Sequence, residues 1–538
     1  MSYLNSSAFP RFAEHMEPHE IVFQLAKSGK ARQLKQYLNR RTKEERKRIL
    51  SSKYNGATSL IMACRNGHFE VVEYLVEHCN ANLEQSGLVN FENENIEGAP
   101  PLWCASAAGH LKIVKYLVSK GANVNSTTKS NSTALRAACF DGHFEIVKFL
   151  VENSADIEIA NRHGHTCLMI ACYKGHYNIA KYLINKGADL NRKSVKGNTA
   201  LHDCAECGSL EIMKLLLSHS AKMAPDSYQM TPLLAAAVTG HSAIVEYLLT
   251  RNECTPAEKI SALELLGATV IDKKHDMLSA YNYWKMALER RSIAVQIDPS
   301  EPAVSLIKQL TIKHSPIEAY DYATEFLDKK ELDEIMSDPD EVRMQALLIR
   351  ERILGPTHPD TTYFIRYRGA VYADCGNFRK CILLWLYALD TQQKSLEPLH
   401  PMIQSSFLSF TELFQYMQKQ LSPFNSQNNL SGMGSSQNSR DTVSGDSASS
   451  KNAEGSMFNI LNMYISTVLK MLQQAVEEIK RGMNLIKQDQ KVGTASNQSS
   501  ASMSSSSSQR QPTSNNINQI QKEKIQASLA YKKAISGE

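Results

Sequence analysis

The feature that most constrains this chain is a sequence repeat with a nearly constant period. A glycine followed by histidine or serine recurs at Gly67, Gly109, Gly142, Gly175, Gly208 and Gly240. From Gly109 to Gly208 the interval is constant at about 33 residues, the first interval is longer by nine and the last is shorter by one. A short run of small residues precedes each glycine, and a longer run with apolar residues three and four apart follows it. Each run therefore has one apolar stripe that a single unit cannot cover, so neighbouring units must stack.

This period, with two helical runs per unit, is typical of ankyrin repeats. The first runs include "NSTALRAAC" and "GNTALHDCA", and the second runs include "FEIVKFLVE" and "YNIAKYLIN". A helix that ends and reverses within two residues needs a left-handed conformation, which explains the glycine. The histidines that follow these glycines recur at the same corner of the repeat, which favours a hydrogen-bonding role over a metal-binding or catalytic role. These turn histidines are His68, His110, His143, His176 and His241.

The longer interval reflects an insertion of nine residues in one repeat. The extra sequence lies between Asn80 and Gly98 and contains Phe91 and Glu92 among further glutamates. Insertions in a stack of repeats lie in loops on one face, often the binding face. A long surface loop also costs little additional closure entropy. From these residues alone, a part of a binding face and a tolerated loop are equally good interpretations.

A different helical pattern begins near Ser261. Gly267 precedes Trp284, and Gly369 precedes Trp385, with the small-and-aromatic spacing of tetratricopeptide helix pairs. Such pairs either bind peptides or extend a scaffold, and we favour the scaffold. The sequence therefore predicts an all-α protein in which an ankyrin-repeat solenoid is followed by tetratricopeptide-like helical hairpins and disordered segments rich in Ser, Asn and Gln.

The predicted organisation has six segments. They are an N-terminal leader and capping repeat (1–53), the ankyrin-repeat solenoid (54–253), the tetratricopeptide-like domain (254–421), a disordered linker (422–456), an amphipathic helix (457–487) and a mostly disordered tail (488–538). The linker and much of the tail consist of Ser, Asn, Gln and Gly. Such segments cannot bury enough apolar area to offset the entropy lost on ordering.

Charge and hydropathy argue against two classes of partner. The formal net charge is +5 over 538 residues, and no basic run is interleaved with aromatic residues. A nucleic-acid partner is therefore not expected. No apolar run approaches the ~18 to 20 residues that span a bilayer, and the first residues lack a secretory signal pattern, so a membrane is not expected either.

The cysteines indicate a reducing compartment. There are 11 of them, an odd number, and most lie within predicted helices. We therefore place the chain in the cytosol or the nucleus. Cys204 and Cys207 have C-x-x-C spacing with His202 nearby, but the sequence offers no second ligand pair for zinc. We interpret both cysteines as small helix residues.

Binding rather than catalysis is the expected activity. The sequence has no G-x-S-x-G, no H-E-x-x-H and no phosphate-binding glycine loop, and it implies no cofactor. Arrays of helical hairpins form long concave surfaces that bind protein segments. Asp141 lies at the end of a first helix, where a carboxylate suits a cation, and a bidentate arginine best of all. Aspartate near a turn is also common as a local cap, and that alternative stays open.

Several segments resemble the Fem (feminization) family of ankyrin proteins, in particular its vertebrate B and C forms. They include "IEGAPPLWCASAAGHLKIVKYL", "NRHGHTCLMIACYKGHYNIAKYL" and "VRMQALLIRERILGPTHPDTTYFIRYRGAVYADCGNF". The resemblance covers about Tyr54 to Pro401. It implies a substrate receptor of Cullin-2 RING ubiquitin ligases that recognises the extreme C-terminus of its substrates, typically one ending in arginine.

The resemblance also implies a pocket for this C-terminal degron. Its residues are Glu92 and Asp141 for the terminal guanidinium, Ser132 and Arg136 for the terminal carboxylate, and Trp103, Phe140 and Tyr173 for packing around the last side chains. Glu92 departs from the aspartate of C-type members by one methylene group. On this interpretation the insertion and Asp141 form two walls of one pocket.

The implied partners are substrate proteins, Elongin B/C and Cullin-2. The family's Elongin-binding box has no counterpart after Asn516 in this sequence. The alternative expectation is therefore an ankyrin and tetratricopeptide scaffold, or a form that binds degrons without recruiting the ligase.

Overall fold

The computed structural model describes residues 16–91, 94–297, 316–428 and 465–484. These residues form two units, the first extending to Ser395 and the second beginning at Leu396. The helices of the first unit are α1 (Pro18–Lys27), α2 (Ala31–Asn39), α3 (Lys43–Ser51), α4 (Ser59–Arg65), α5 (Phe69–Glu77), α6 (Pro101–Ala107), α7 (Leu111–Ser119), α8 (Ala134–Phe140), α9 (Phe144–Glu152), α10 (Cys167–Tyr173), α11 (Tyr177–Asn185), α12 (Ala200–Cys207), α13 (Leu210–Ser218), α14 (Pro232–Thr239), α15 (Ser242–Leu249), α16 (Pro256–Lys274), α17 (Met277–Ile297), α18 (Lys329–Ile335), α19 (Pro339–Leu354), α20 (Pro359–Asp374) and α21 (Phe378–Ser395). This unit also contains a 3-10 helix (Glu318–Tyr320) and strands β1 (Gly87–Phe91) and β2 (Glu94–Ala99), and the second unit contains α22 (Pro401–Asn428) and α23 (465–484).

Each repeat consists of an inner helix and an outer helix, as predicted, and in the repeats from α4 to α13 the outer helix is the longer of the two. In the central repeat the inner helix α8 has 7 residues and the outer helix α9 has 9. The Oγ1 atom of Thr133 accepts a hydrogen bond of 3.1 Å from the amide of Arg136, and Thr58, Thr166 and Thr231 cap other inner helices in the same way. These caps satisfy a backbone donor that the first helical turn leaves open, so the inner helices begin at one position of the repeat.

The corner between the two helices confirms the predicted roles of glycine and histidine. Gly142 has a φ of +79°, and a Cβ atom there would lie 2.7 Å from Cε1 of His176. The Nε2 atom of His176 lies 3.1 Å from the carbonyl oxygen of Phe140, the last residue of the preceding inner helix. The same contact joins His68 to Lys27, His110 to Arg65, His143 to Ala107 and His241 to Glu206. Each histidine thus satisfies a helix-terminal carbonyl group of the repeat before it.

The inner helices stack in one continuous row that runs from α4 through α6, α8, α10, α12 and α14 to α16. Leu135 of α8 and Leu150 of α9 are fully buried and represent the apolar stripe that each helix presents to its neighbours. Full burial of such a side chain contributes about 1.5 to 3 kcal/mol. The hydrophobic core of the solenoid therefore includes the buried side of α16, whereas Trp284 and Leu332 belong to a second hydrophobic cluster among the tetratricopeptide-like helices.

The nine-residue insertion forms a β-hairpin. Strands β1 and β2 are antiparallel, and Phe91 opposite Glu94 is the pair nearest to residues 92–93, which connect the two strands in sequence. Val89 is buried in the core. The amide of Lys129, in the loop that precedes α8, donates a hydrogen bond of 2.9 Å to the carbonyl oxygen of Glu97 in β2. The side chains of the same two residues form an ion pair of 2.6 Å. The hairpin is therefore attached both to the core and to the loop that precedes α8.

The helices after the solenoid confirm the tetratricopeptide-like pattern. A Cβ atom on Gly267 of α16 would collide with the indole of Trp284 in α17, and Gly369 of α20 stands in the same relation to Trp385 of α21. The Trp284 Nε1 atom donates a hydrogen bond of 2.9 Å to the carbonyl of Glu264, and Trp385 makes an equivalent bond to its own partner helix. A small residue facing a tryptophan thus sets the close packing of both helix pairs.

A buried ion-pair network lies within this block. The carboxylate of Glu264 pairs with the guanidinium groups of Arg291 and Arg352, the latter at 2.8 Å. Arg352 also pairs with Glu325 at 2.9 Å. Glu264 is almost fully buried, so the two arginines compensate its charge in a medium that water does not reach.

In the second unit, α23 packs through polar contacts with the segment before α22. The Glu478 carboxylate accepts a hydrogen bond of 2.7 Å from the Leu399 amide, and Arg481 donates to the Leu396 carbonyl at 3.0 Å. Helix α22 continues to Asn428, so residues 422–428 of the predicted linker are helical. The rest of that linker, residues 457–464 and 485–487 of the predicted amphipathic helix, and the predicted tail lie outside the described residues.

Candidate functional site

The predicted site residues fall at a few equivalent positions of the repeat. Trp103 of α6 and Arg136 of α8 occupy the same position in consecutive repeats, as do Phe140 of α8 and Tyr173 of α10. Residues four apart on a helix lie on the same face. Because the inner helices stack side by side, these four side chains occupy two adjacent rows on one face of the inner-helix layer. We call this face the groove.

Trp103, Ser132 and Arg136 form one contact cluster. The Nε1 atom of Trp103 donates a hydrogen bond of 3.2 Å to Oγ of Ser132, and Nη1 of Arg136 lies 3.5 Å from the same oxygen. The Ser132 amide in turn donates to Oγ1 of Thr128 at 3.1 Å, which holds the serine in place. Trp103 and Ser132 are buried and Arg136 is half-buried. The structure thus brings together three predicted residues from two repeats.

Arg136 has unused hydrogen-bonding capacity. Its Nε atom is buried and has no hydrogen-bond partner in the described part of the chain. Burial lowers the pKa of its guanidinium, which nevertheless stays protonated at neutral pH. Burial, and then the nearby charge of Arg136, also lower the pKa of His165 in the next repeat. A half-buried cation with a buried, unsatisfied donor favours an anionic ligand, because such a ligand would offset the cost of desolvation.

Two further residues of this cluster are not among the predicted site residues. The ring of Phe91, at the end of β1, meets Trp103 edge to face with a centroid distance of 5.4 Å. The guanidinium of Arg65 lies 4.8 Å from the Phe91 ring centroid. The position of Phe91 in the insertion, next to Glu92, is the sequence signal that could have identified it. Phe91 and Trp103 together give the groove an apolar wall beside the cation.

The other end of α8 carries Phe140 and Asp141. Phe140 is half-buried, and Nζ of Lys174 lies 3.8 Å from its ring centroid. Asp141 is the C-terminal cap residue of α8 and is exposed. Tyr173, at the end of α10, is 47% exposed. The structure thus places an aromatic pair and a carboxylate on the solvent side of the groove, one helical turn beyond Arg136.

Glu92 lies outside the described residues. Its predicted contact with Asp141 around a guanidinium group therefore stays a prediction. The described strands end at Phe91 and resume at Glu94, on either side of residues 92–93.

Within the described ranges, no group of three or more His, Cys, Asp or Glu side chains could hold a metal ion. Cys204 is buried in α12, and Cys207 lies at its end, where its thiol contacts the Cys172 carbonyl oxygen at 3.2 Å. Burial raises the pKa of both thiols. Among the described helices, none combines the length and the apolar character needed to cross a bilayer.

The solenoid and its groove define the class of this molecule. The family model described as ankyrin repeats (3 copies) matches residues 22–128, 125–194 and 189–259. The chain is therefore an ankyrin-repeat protein, a class built for interaction with other proteins.

Comparison with curated proteins identifies the family. The chain is 62% identical over 397 residues to the fem-1 homolog CG6966 of Drosophila melanogaster, covering 74% of this chain and 58% of that protein. It is 60% identical over 402 residues to the human fem-1 homolog C, covering 75% and 64%. It is 53% identical over 441 residues to the mouse fem-1 homolog A-A, covering 75% and 66%. This chain belongs to the fem-1 family, and it spans 58 to 66% of the length of these relatives.

Proposed function

We propose that the groove binds the extreme C-terminus of a substrate protein, and that the chain acts as the substrate-recognition subunit of a Cullin-2 RING E3 ubiquitin ligase. The ligand is a C-terminal degron ending in arginine, whose capture leads to ubiquitination and proteasomal degradation of the substrate. The chain itself carries out no chemical step in this proposal. Its role is to bind the C-terminus of the substrate protein.

The observation that carries the proposal is the half-buried cation of Arg136, whose buried Nε atom is unsatisfied, beside Ser132 and Trp103. A free α-carboxylate would accept charge-assisted hydrogen bonds from Arg136 and one from the Ser132 hydroxyl. An internal peptide segment has no such anion at its backbone. The site therefore favours a chain end over a loop.

Asp141 supports the assignment of the last side chain. It follows Arg136 by five residues, which corresponds to a separation of about 7.5 Å along the helix axis. This spacing is comparable with the reach of an extended arginine side chain, so one terminal residue would place its carboxylate at Arg136 and its guanidinium at Asp141. Glu92 would supply the second carboxylate. Phe91, Trp103 and the aromatic pair Phe140 and Tyr173 would cover the aliphatic part.

Peptide binding to the full chain tests this proposal. A fluorescent peptide ending in free arginine should bind, and amidation of its C-terminus should weaken binding at least ~10-fold, because charge-assisted hydrogen bonds to Arg136 are lost. Asp141→Asn should cause a similar loss. Glu145→Gln removes an exposed carboxylate from the outer helix of the same repeat and should bind as the unmodified protein does. Equal affinity for the free and amidated peptides would refute the proposal.

Recruitment of the ligase is a separate part of the proposal. Similarity to fem-1 proteins supports Elongin B/C and Cullin-2 as partners. The alternative is a scaffold, or a form that binds degrons without recruiting the ligase. Co-precipitation with Elongin B and C distinguishes the two, because only a ligase subunit would retain them.

A further inference from the structure

Arg65 is a cation at the edge of the candidate pocket that has no role in the proposed function. It is the last residue of α4 and is half-buried. Its backbone is held by the next repeat, because Nε2 of His110 lies 3.1 Å from the Arg65 carbonyl oxygen. In the described part of the chain, the guanidinium of Arg65 forms no ion pair. A half-buried cation without a counterion favours an anionic ligand.

The contact with Phe91 orients the hydrogen-bond donors of Arg65. The guanidinium of Arg65 lies over the Phe91 ring, 4.8 Å from its centroid. Such a contact uses the face of the planar guanidinium, whereas its N–H donors lie in the plane and stay available to a ligand. The ring itself belongs to β1, whose Val89 is buried in the core. Arg65 is therefore a preorganised donor rather than a freely rotating surface side chain.

A continuous chain of direct contacts joins Arg65 to Arg136. The Phe91 ring beside Arg65 meets the Trp103 ring edge to face, with 5.4 Å between the centroids. Nε1 of Trp103 donates a hydrogen bond of 3.2 Å to Oγ of Ser132, and Nη1 of Arg136 lies 3.5 Å from the same oxygen. The two guanidinium groups thus stand at opposite ends of one wall, built from β1, α6 and the start of α8.

The position of Arg65 within its repeat also places it on the groove. Arg65 lies two residues before the corner glycine of its repeat, as Phe140 and Tyr173 do in theirs. Ala107 occupies this position in the intervening repeat, so no larger side chain of the row stands between Arg65 and Phe140. Helices α4, α6 and α8 are consecutive in the inner-helix row. Packed helices lie about 8 to 10 Å apart, so Arg65 and Phe140 are separated by roughly 16 to 20 Å along the groove.

We propose that Arg65, oriented by Phe91, binds the carboxylate of an aspartate or glutamate side chain that lies upstream of the C-terminal arginine in the same peptide. This inference rests on the proposed function, since it takes the terminal carboxylate of the peptide to lie at Arg136. One guanidinium can donate two charge-assisted hydrogen bonds to one carboxylate, which gives direction as well as affinity. We call Arg65 and Phe91 together the upstream subsite.

The spacing of the inner helices limits the position of the acidic residue in the peptide. An extended peptide advances about 3.3 Å per residue, so a span of roughly 16 to 20 Å corresponds to about five or six residues. The acidic side chain and the side chain of Arg65 extend toward each other and shorten the span that the peptide backbone must cover. The acidic residue should therefore lie about three to five residues before the C-terminal residue.

Peptide binding to the full chain tests the upstream subsite. The probes end in free arginine and carry either alanine throughout or one glutamate, moved from two to seven residues before the end. Glutamate at the matching position should tighten binding about five-fold, and glutamine there should not, because it lacks the charge. Arg65→Gln should abolish this gain. Lys112→Gln should keep it, since it removes a cation that lies 3.7 Å from the Phe69 ring centroid on the outer helix α7.

A charge reversal excludes a merely structural effect of the substitution. Arg65→Glu should lose the preference for glutamate and prefer the same peptide with lysine at that position. The comparison is made between peptides on one protein, so a general change in the affinity of a variant does not affect it. If glutamate gives no gain, an equal gain at every position, or the same gain in Arg65→Gln, the upstream subsite is refuted while the terminal pocket stands. If no peptide with free arginine binds, the proposed function fails and the subsite fails with it.

Discussion

The corner of the central ankyrin repeat allows a quantitative test of how the repeats are joined. Gly142 and Gly121 both have left-handed backbones, with φ of +79° and +89°. A Cβ atom at Gly142 would lie 2.7 Å from the ring of His176, whereas nothing lies within 4 Å of a Cβ atom at Gly121. Substituting alanine at each position therefore imposes the same backbone strain, but only one substitution disturbs the next repeat.

The magnitudes follow from these contacts. For Gly121→Ala, a left-handed residue costs about 1 to 2 kcal/mol, and the reduced entropy of the unfolded chain returns about 0.4 to 1 kcal/mol, so the net loss of stability is about 1 kcal/mol. Gly142→Ala also displaces the His176 ring. This loses a hydrogen bond of about 0.5 to 1.5 kcal/mol and adds overpacking of about 1 kcal/mol or more, for a total of about 3 kcal/mol.

Urea unfolding followed by far-ultraviolet circular dichroism measures the difference between the two variants. At equal slopes, the transition midpoint of Gly142→Ala should fall well below that of Gly121→Ala. In the double variant Gly142→Ala with His176→Ala, the steric part of the loss should disappear, so the two substitutions should be less than additive. The reasoning is refuted if the two glycine variants are equally stable.

Two further predictions concern buried charge. Glu264→Ala leaves Arg291 and Arg352 with less compensation in the core, so we expect a loss of about 3 to 5 kcal/mol in thermal unfolding, and a loss below ~1 kcal/mol would contradict the network. His202 is buried against the Met230 carbonyl at 2.9 Å, and burial lowers its pKa. Since only the unfolded chain binds this proton readily, the full stability is present above a pH of about 6.5 and is lost as the pH falls toward the folded pKa. Unfolding midpoints at about pH 5 and pH 7.5 should differ less for His202→Gln than for the unmodified protein, and an equal difference would exclude His202 as the cause.

The solenoid could be predicted because its determinants are local. A threonine cap, a left-handed glycine and a turn histidine recur at fixed spacing, and each acts within one repeat or on its direct neighbour. The pairing of Gly267 with Trp284 has the same character, since a small residue facing a large one is visible in sequence. The boundaries proposed for the segments remain predictions.

The hairpin could not be predicted in the same way. Its strands flank residues 92–93, which lack the glycine that marks a tight two-residue turn. Short strands of this kind are stable only with support from elsewhere. Here the support comes from burial of Val89 and from Lys129, which is distant in sequence. Such contacts appear only once the repeats have stacked.

The candidate site also has one part that the sequence predicts and another that depends on tertiary packing. The residues around Arg136 follow from a family resemblance, but the unsatisfied Nε atom and the wall formed by Phe91 depend on tertiary packing.

The constant period of the sequence repeat has a consequence for how the binding surface of such a protein evolves. Each inner helix devotes its buried face to holding the stack, and the inner helices from α8 to α12 offer a position near their ends that reaches solvent, occupied by Phe140, Tyr173 and Glu206. Exchange of a side chain at those positions alters which chemical group is bound while the framework keeps its stability. New binding preferences can therefore arise one repeat at a time.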